Sequence, residues 1–152
     1  MMLLNFILSI ITNFGFVVMV LLAIPSIVLY KKNKRIVYSF LAAFFVSSAL
    51  ALLIKLIALK QRPIPVSYPI LSALNYSFPS MHSMVAFALF PFLAIYLPKQ
   101  RYFWVVFVLL VAFSRIYFGF HFLSDVVFGA LFGFAIGCLL LVLHKSGRLW
   151  QK

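Results

Sequence analysis

Residues 114–144 read SRIYFGFHFLSDVVFGALFGFAIGCLLLVLH. From Val126 to Leu143 there is no charged side chain, and a helix of that length at about 1.5 Å per residue crosses most of a bilayer's hydrocarbon core. At the head of the run stands Asp125, the sole acidic residue in a chain of 152 residues that carries 13 Lys and Arg. An acid at the edge of so apolar a segment is costly unless it has a partner. His121, one helical turn before it, and Arg115, ten residues upstream, are its nearest candidates. The stretch therefore reads as a membrane helix that begins at a site.

The rest of the chain is of the same kind. It is 66% hydrophobic and 9% charged, with mean hydropathy +1.20, more apolar surface than a water-soluble domain of this length could bury. Hydrophobic runs predict helices near Leu3–Tyr30, Ile36–Leu59, Ser80–Leu97, Tyr102–Phe118 and Ser124–His144. The expectation is an all-α, polytopic bundle of five spans, a single domain over residues 1–152. The first run is long enough to need a tilt or a bend, expected near Pro25, and Pro91 is a candidate kink in the third. The first run has no basic residues ahead of it and no small-residue cleavage site, so it reads as a retained span rather than a removed signal peptide. Gly129, Gly133 and Gly137 form two small-xxx-small steps, which permit close helix packing. Cys138 is alone, so no disulfide framework arises within the chain.

A formal charge of +12 would suit a nucleic-acid binder, but the basic residues sit in short clusters at the ends of apolar runs. That is the pattern of topology determinants and lipid-headgroup contacts, and it excludes nucleic acid as the partner. Lys31, Lys32, Lys34 and Arg35 form one cluster, Lys99 and Arg101 a second, Lys145, Arg148 and Lys152 a third. All fall on one side of a five-span chain, which the positive-inside rule makes cytoplasmic, with the N-terminus outside and the C-terminus inside. Lys55, Lys60, Arg62 and Arg115 lie at the opposite ends of their helices. They oppose the rule, and a bound anion explains them most simply. Tyr30, Tyr96, Tyr102 and Trp150 fit interfacial aromatic belts, and His144 an interface at the cytoplasmic end.

Three motifs converge on the non-cytoplasmic face. Lys55-Leu-Ile-Ala-Leu-Lys-Gln-Arg62-Pro63 places two cations about two helical turns apart. Pro79-Ser80-Met81-His82 opens the third span, where exposed N–H groups and the positive dipole end suit an anion. Ser114–Asp125 is the third. A Pro-rich loop from about Lys60 to Pro79, with Pro63, Pro65, Pro69, Tyr68, Asn75 and Tyr76, joins the first two.

The order and spacing resemble the type 2 phosphatidic acid phosphatase superfamily, whose pattern is K-x6-R-P, P-S-G-H and S-R-x5-H-x3-D. The match falls on Lys55, Arg62, Pro63, Pro79, Ser80, His82, Ser114, Arg115, His121 and Asp125, within residues 55–125. Met81 stands where the family usually has glycine; it keeps the backbone N–H but adds bulk. Five predicted spans are one fewer than the six typical of membrane members. The resemblance implies His121 as the nucleophile that forms a phosphohistidine, Asp125 holding its tautomer, and His82 as general acid and then base. It implies Lys55, Arg62, Ser80, the Met81 backbone and Arg115 as the phosphate-binding set, Arg serving best through its planar fork. Lys60, off the pattern, reads as a solvated or headgroup contact.

One Asp and three His, one of them on the other face, cannot build a two-metal centre, so no metal or other cofactor is expected and charge stabilisation falls to Lys and Arg. The expected function is removal of phosphate from a lipid at the outer face of a prokaryotic plasma membrane. A polyprenyl diphosphate is the first substrate expected, then phosphatidate or phosphatidylglycerol phosphate. A second reading, a non-catalytic protein that binds or moves lipid phosphate, rests on Met81. A vanadium haloperoxidase is disfavoured, because those relatives are soluble. Oligomeric state is not readable from the sequence.

Overall fold

The computed structural model describes residues 2–65 and 72–147, and these are all helix and connection with no strand. The helices are α1 (Met2–Thr12), α2 (Phe14–Val18), α3 (Ile24–Lys32), α4 (Lys34–Ala58), α5 (Met81–Tyr96), α6 (Arg101–Tyr117) and α7 (Leu123–Lys145). A π-helical turn, Met19–Ala23, fuses α2 to α3. Four stretches are long and apolar enough to cross a bilayer: Phe14–Lys32, Lys34–Ala58, Pro98–Tyr117 and Leu123–Lys145; Met81–Tyr96 is a shorter apolar helix. This is an integral membrane protein. Tyr68 and Pro69 of the long loop, and Arg148, Trp150 and Lys152, lie outside the described residues.

The first predicted span is corrected at one point. It breaks at Asn13, whose backbone is extended and whose side chain accepts the Phe16 N–H at 3.2 Å. Asparagine is a strong N-cap, and here that preference overrides an apolar run that reads as continuous. Near Pro25, where the sequence leads one to expect a tilt or a bend, a π-helical turn interrupts the regular α-helix. Proline lacks an N–H and its ring crowds the carbonyl four residues back; the wide turn absorbs this, with Ile24 N–H bonded to the Met19 carbonyl, a spacing of five rather than four.

Helix α5 is the centre of the bundle. Its Val85, Leu89, Phe92 and Leu93 are buried with Val17, Leu21, Phe40, Val108 and Val111 from the surrounding helices, and Phe40 meets Phe92 edge-on at 5.9 Å. The outward residues of α4 and α7, such as Leu53, Ile57, Leu131 and Val142, are apolar and exposed, which suits lipid as solvent. The tightest seam is α5 against α7. A Cβ on Gly133 would lie 2.0 Å from the Met84 carbonyl oxygen, and one on Gly137 2.2 Å from that of Ala88. Main chain meets main chain there, as the glycine spacing predicts, and dispersion contacts replace the hydrophobic drive absent in lipid.

The described members of the basic clusters gather at one end of the bundle. Lys32 Nζ donates to the Tyr96 carbonyl at 2.7 Å, which ties the α3–α4 hairpin to the end of α5. His144 sits at that same end, its Nδ1 2.8 Å from Ser39 Oγ and its ring edge-on to Tyr96. The three motifs occupy the other end. With 16 residues, α5 is about 24 Å long against roughly 30 Å of hydrocarbon. Its first turn carries His82.

Candidate active site

A cavity of about 310 Å³ opens at the motif end, lined by Phe14, Lys55, Arg62, Leu74, Met81, His82, Arg115 and His121. All three motifs contribute to it. Three of the eight lining side chains, Phe14, Leu74 and Met81, are apolar or sulfur-bearing; the other five are the cations Lys55, Arg62 and Arg115 and the imidazoles His82 and His121.

Each cation is held by main-chain carbonyls. Helix α4 ends where Leu59 takes the left-handed conformation, φ 47°, its N–H bonded to the Lys55 carbonyl. The turn directs the next residues over the site. Lys55, 1% exposed, donates to the carbonyls of Tyr76 and Ser77 at 2.7 and 3.2 Å. Arg62 spreads its guanidinium over Asn75, Leu74 and Phe120 carbonyls at 3.2, 2.7 and 2.9 Å. Arg115 donates to the Thr12 carbonyl at 2.9 Å and to Thr12 Oγ1, and its guanidinium lies 4.7 Å from the Phe120 ring centre. Thr12 and Phe14, which meets His82 edge-on at 4.9 Å, bring the N-terminal segment onto the site. No feature of the sequence marks either residue.

The third motif folds back on itself. After α6 ends, Gly119 turns the chain at φ +68°, and the N–H groups of Phe120 and His121 both reach the Arg115 carbonyl at 3.1 Å. His121 is thereby set under Arg115, 3% exposed. Its Nε2 is 3.2 Å from Arg62 Nη1. A guanidinium has only donors, so Nε2 carries the lone pair and Nδ1 the proton. That Nδ1 faces Asp125 Oδ2 at 3.8 Å, within ion-pair range but beyond a hydrogen bond. Burial, with Arg62, Arg115 and Lys55 adding to it, pushes the imidazole down to about 4, although Asp125 pulls the other way. Two ring nitrogens, His121 Nδ1 and His82 Nε2, are buried with no hydrogen-bond partner among the described residues.

Asp125 is fully buried and caps α7: its Oδ2 accepts the Phe122 N–H at 3.0 Å. Its closest charge is neither His121 nor Arg115. Lys60 Nζ lies 2.6 Å from Oδ1 while its side chain stays 36% exposed, so the lysine read from sequence as a solvated or headgroup contact also pairs with the acid. A signal for this was present in the sequence: the only acid needs a cation on its own membrane face, and Lys60 is on that face.

Ser80 does not line the cavity. Its N–H, expected to face an anion, is donated instead to the Asp125 carbonyl at 2.9 Å, and its hydroxyl accepts from Ser83 Oγ at 3.1 Å. Helices α5 and α7 thus start locked together. Ser114 is likewise turned inward, bonded to the Val111 carbonyl of its own helix. Met81 does line the cavity, beside His82, at the open first turn of α5, where N–H groups lack intrahelical partners.

The fold and this cavity define a membrane-embedded helical bundle with a cationic, two-histidine cup at one end. The chain belongs to the PAP2 superfamily, whose family model matches residues 35–148. A relative, phosphatidylglycerophosphatase B of Bacillus subtilis strain 168, is 36% identical over 97 residues, covering 57% of this chain and 46% of that protein. The chain therefore spans less than half the length of that relative. The crystal structure of a transmembrane PAP2 type phosphatidylglycerolphosphate phosphatase from Bacillus subtilis has a TM-score of 0.73 and 25% identity, covering 97% of this chain and 80% of that one.

Proposed function

We propose that the protein is a metal-independent lipid phosphate phosphatase that works through a phosphohistidine. One observation carries the reading: His82, His121 and three cations, drawn from all three motifs, line a single cavity. His121 Nε2 would attack phosphorus as the P–O bond to the lipid breaks, and His82 would give the departing oxygen its proton. Water, deprotonated by His82, would then attack phosphorus and release His121. Lys55, Arg62 and Arg115 would neutralise the equatorial oxygens, a role that needs positive charge held in place before the reaction. Asp125 would hold the Nδ1–H tautomer and stabilise the imidazolium that develops.

Metal independence is supported by the donor set. The only carboxylate has Oδ1 on Lys60 and Oδ2 on the Phe122 N–H, which leaves no acidic ligand for a divalent ion. For the substrate, the likeness in sequence and in structure to phosphatidylglycerophosphate phosphatase of Bacillus subtilis favours phosphatidylglycerol phosphate over the polyprenyl diphosphate expected from sequence, with phosphatidate next. The positive-inside rule puts the basic clusters in the cytoplasm, the N-terminus and the cup outside, in a prokaryotic plasma membrane.

The test is phosphate release from a panel of these three lipids by purified protein in detergent with chelator. Turnover should persist in chelator and fall at least about 10³-fold in His121→Ala. Radiolabelled substrate should leave an acid-labile, base-stable adduct on the wild type only. Full turnover in His121→Ala would sink the nucleophile assignment. Retention of lipid phosphate without cleavage by the wild type would favour the alternative, a binding or transport protein, for which Met81 remains the motivating residue.

A further inference from the structure

Lys60 belongs to none of the matched positions, yet its side chain and its main chain are both fixed. Its ammonium donates to Asp125 Oδ1 at 2.6 Å and to Ser124 Oγ at 2.9 Å. It also lies 4.6 Å from the Phe122 ring centre and 5.9 Å from that of Phe78, attractive contacts for a cation. Its carbonyl accepts the Ser77 N–H at 2.7 Å and the Ser77 hydroxyl at 3.1 Å. A lysine that met lipid headgroups would have a mobile, hydrated tip. This one, although partly exposed, has its ammonium on two side-chain oxygens.

We infer that Lys60 is a positioning residue for phosphoryl transfer, holding the Asp125 carboxylate so that its second oxygen faces His121 Nδ1. This rests on the phosphatase reading above. The two ties divide the carboxylate: Lys60 takes Oδ1, while the Phe122 N–H takes Oδ2 and aims it at the imidazole. With both in place the carboxylate cannot rotate freely about its terminal torsion. Lys60 also keeps a fully buried carboxylate anionic, which burial alone opposes. It transfers no proton. When Nε2 bonds to phosphorus and the leaving oxygen takes the His82 proton, the imidazole turns cationic, and the anion that meets its Nδ1–H is the one Lys60 has held ready.

The charged and titratable groups around this pair are Lys55 on α4, Arg62 and Lys60 in the loop after it, His82 on α5, Arg115 on α6 and His121 before α7. Lys60 is the one on Oδ1, and it does not line the cavity. Its removal should therefore act on the chemical step rather than on substrate binding.

The experiment compares Lys60→Met and Lys60→Arg with the wild type, using whichever lipid phosphate the wild type hydrolyses. Lys60→Met should lower kcat about tenfold, the value of one charge-assisted hydrogen bond, with KM unchanged. The acid limb of kcat should move up, because His121 Nδ1 then faces a carboxylate with no cation on it and the ring takes its second proton more readily. Lys60→Arg should restore most of kcat and return the limb. A raised KM at unchanged kcat would overturn the inference in favour of a headgroup contact. An equal fall in kcat in both variants with an unmoved limb would overturn it in favour of scaffolding alone. If Lys60→Met cannot be purified folded, Lys60→Gln serves, since it keeps the reach and loses the charge. A wild type that releases no phosphate strikes the functional reading instead. The His121 nitrogen resonances then decide: a titration unchanged between wild type and variant overturns the coupling.

Discussion

The resting tautomer of His121 is dictated by its neighbours. Arg62 has no lone pair to offer, so the imidazole turns its own toward the cup and leaves its proton on the Asp125 side. Nitrogen-15 spectra of histidine-labelled protein should show a neutral His121 with protonated Nδ1 at pH 6, assigned by loss of the signal in His121→Asn. The ring should take its second proton only near pH 4. Between the ordinary 6.5 and that value the unfolded chain binds a proton that the folded one refuses, so folded stability falls as pH drops through this window. A ring that is half protonated at pH 6.5 would mean that water reaches it. Much at this scale is legible in the sequence, since Lys55, Arg62, His82, Arg115 and His121 announce themselves by spacing and meet at one cavity. Lys60 and Ser80 are not legible in the same way. Which of two neighbouring polar groups turns to the cup and which to the scaffold depends on side-chain direction, and motif spacing carries no such information.

At the scale of elements, the helices are legible wherever apolar length decides, and misread wherever a single polar residue interrupts. Asn13 ends α1 by capping α2 within an otherwise apolar run, and Pro25 spends its disruption on one wide turn rather than a break. The α5–α7 seam was legible because glycine at every fourth position leaves few other readings in a membrane helix. Gly133→Ala should test it. The added methyl would meet the Met84 carbonyl at 2.0 Å, backbone that cannot step aside, and the cost should be about 2–3 kcal/mol from forced separation. The measurement is a melting curve in detergent. Gly147→Ala, at a position with open space, is the comparison for general handling, although its φ of +72° is strained for alanine. An unchanged melting point for Gly133→Ala would mean that the two helices are not in backbone contact.

For the whole molecule, the sorting of charge between the two ends is the main fact. Lys32, Tyr96, Ser39 and His144 tie one end together, and the cationic cup forms the other. Cysteine scanning in a Cys138→Ser background should read the orientation. In intact cells a membrane-impermeant maleimide should label Gln61→Cys, beside the cup, and reach Lys99→Cys only after permeabilisation. The reverse pattern would place the cup in the cytoplasm and overturn the proposed side while leaving the chemistry untouched. The glycine seam bears on traffic as well. Where two backbones touch there is no slit for an acyl chain to slip through, so a lipid cannot approach the cup between α5 and α7. Any tail that reaches His121 must come by another flank, where the apolar cavity linings Phe14, Leu74 and Met81 offer it surface to lie against.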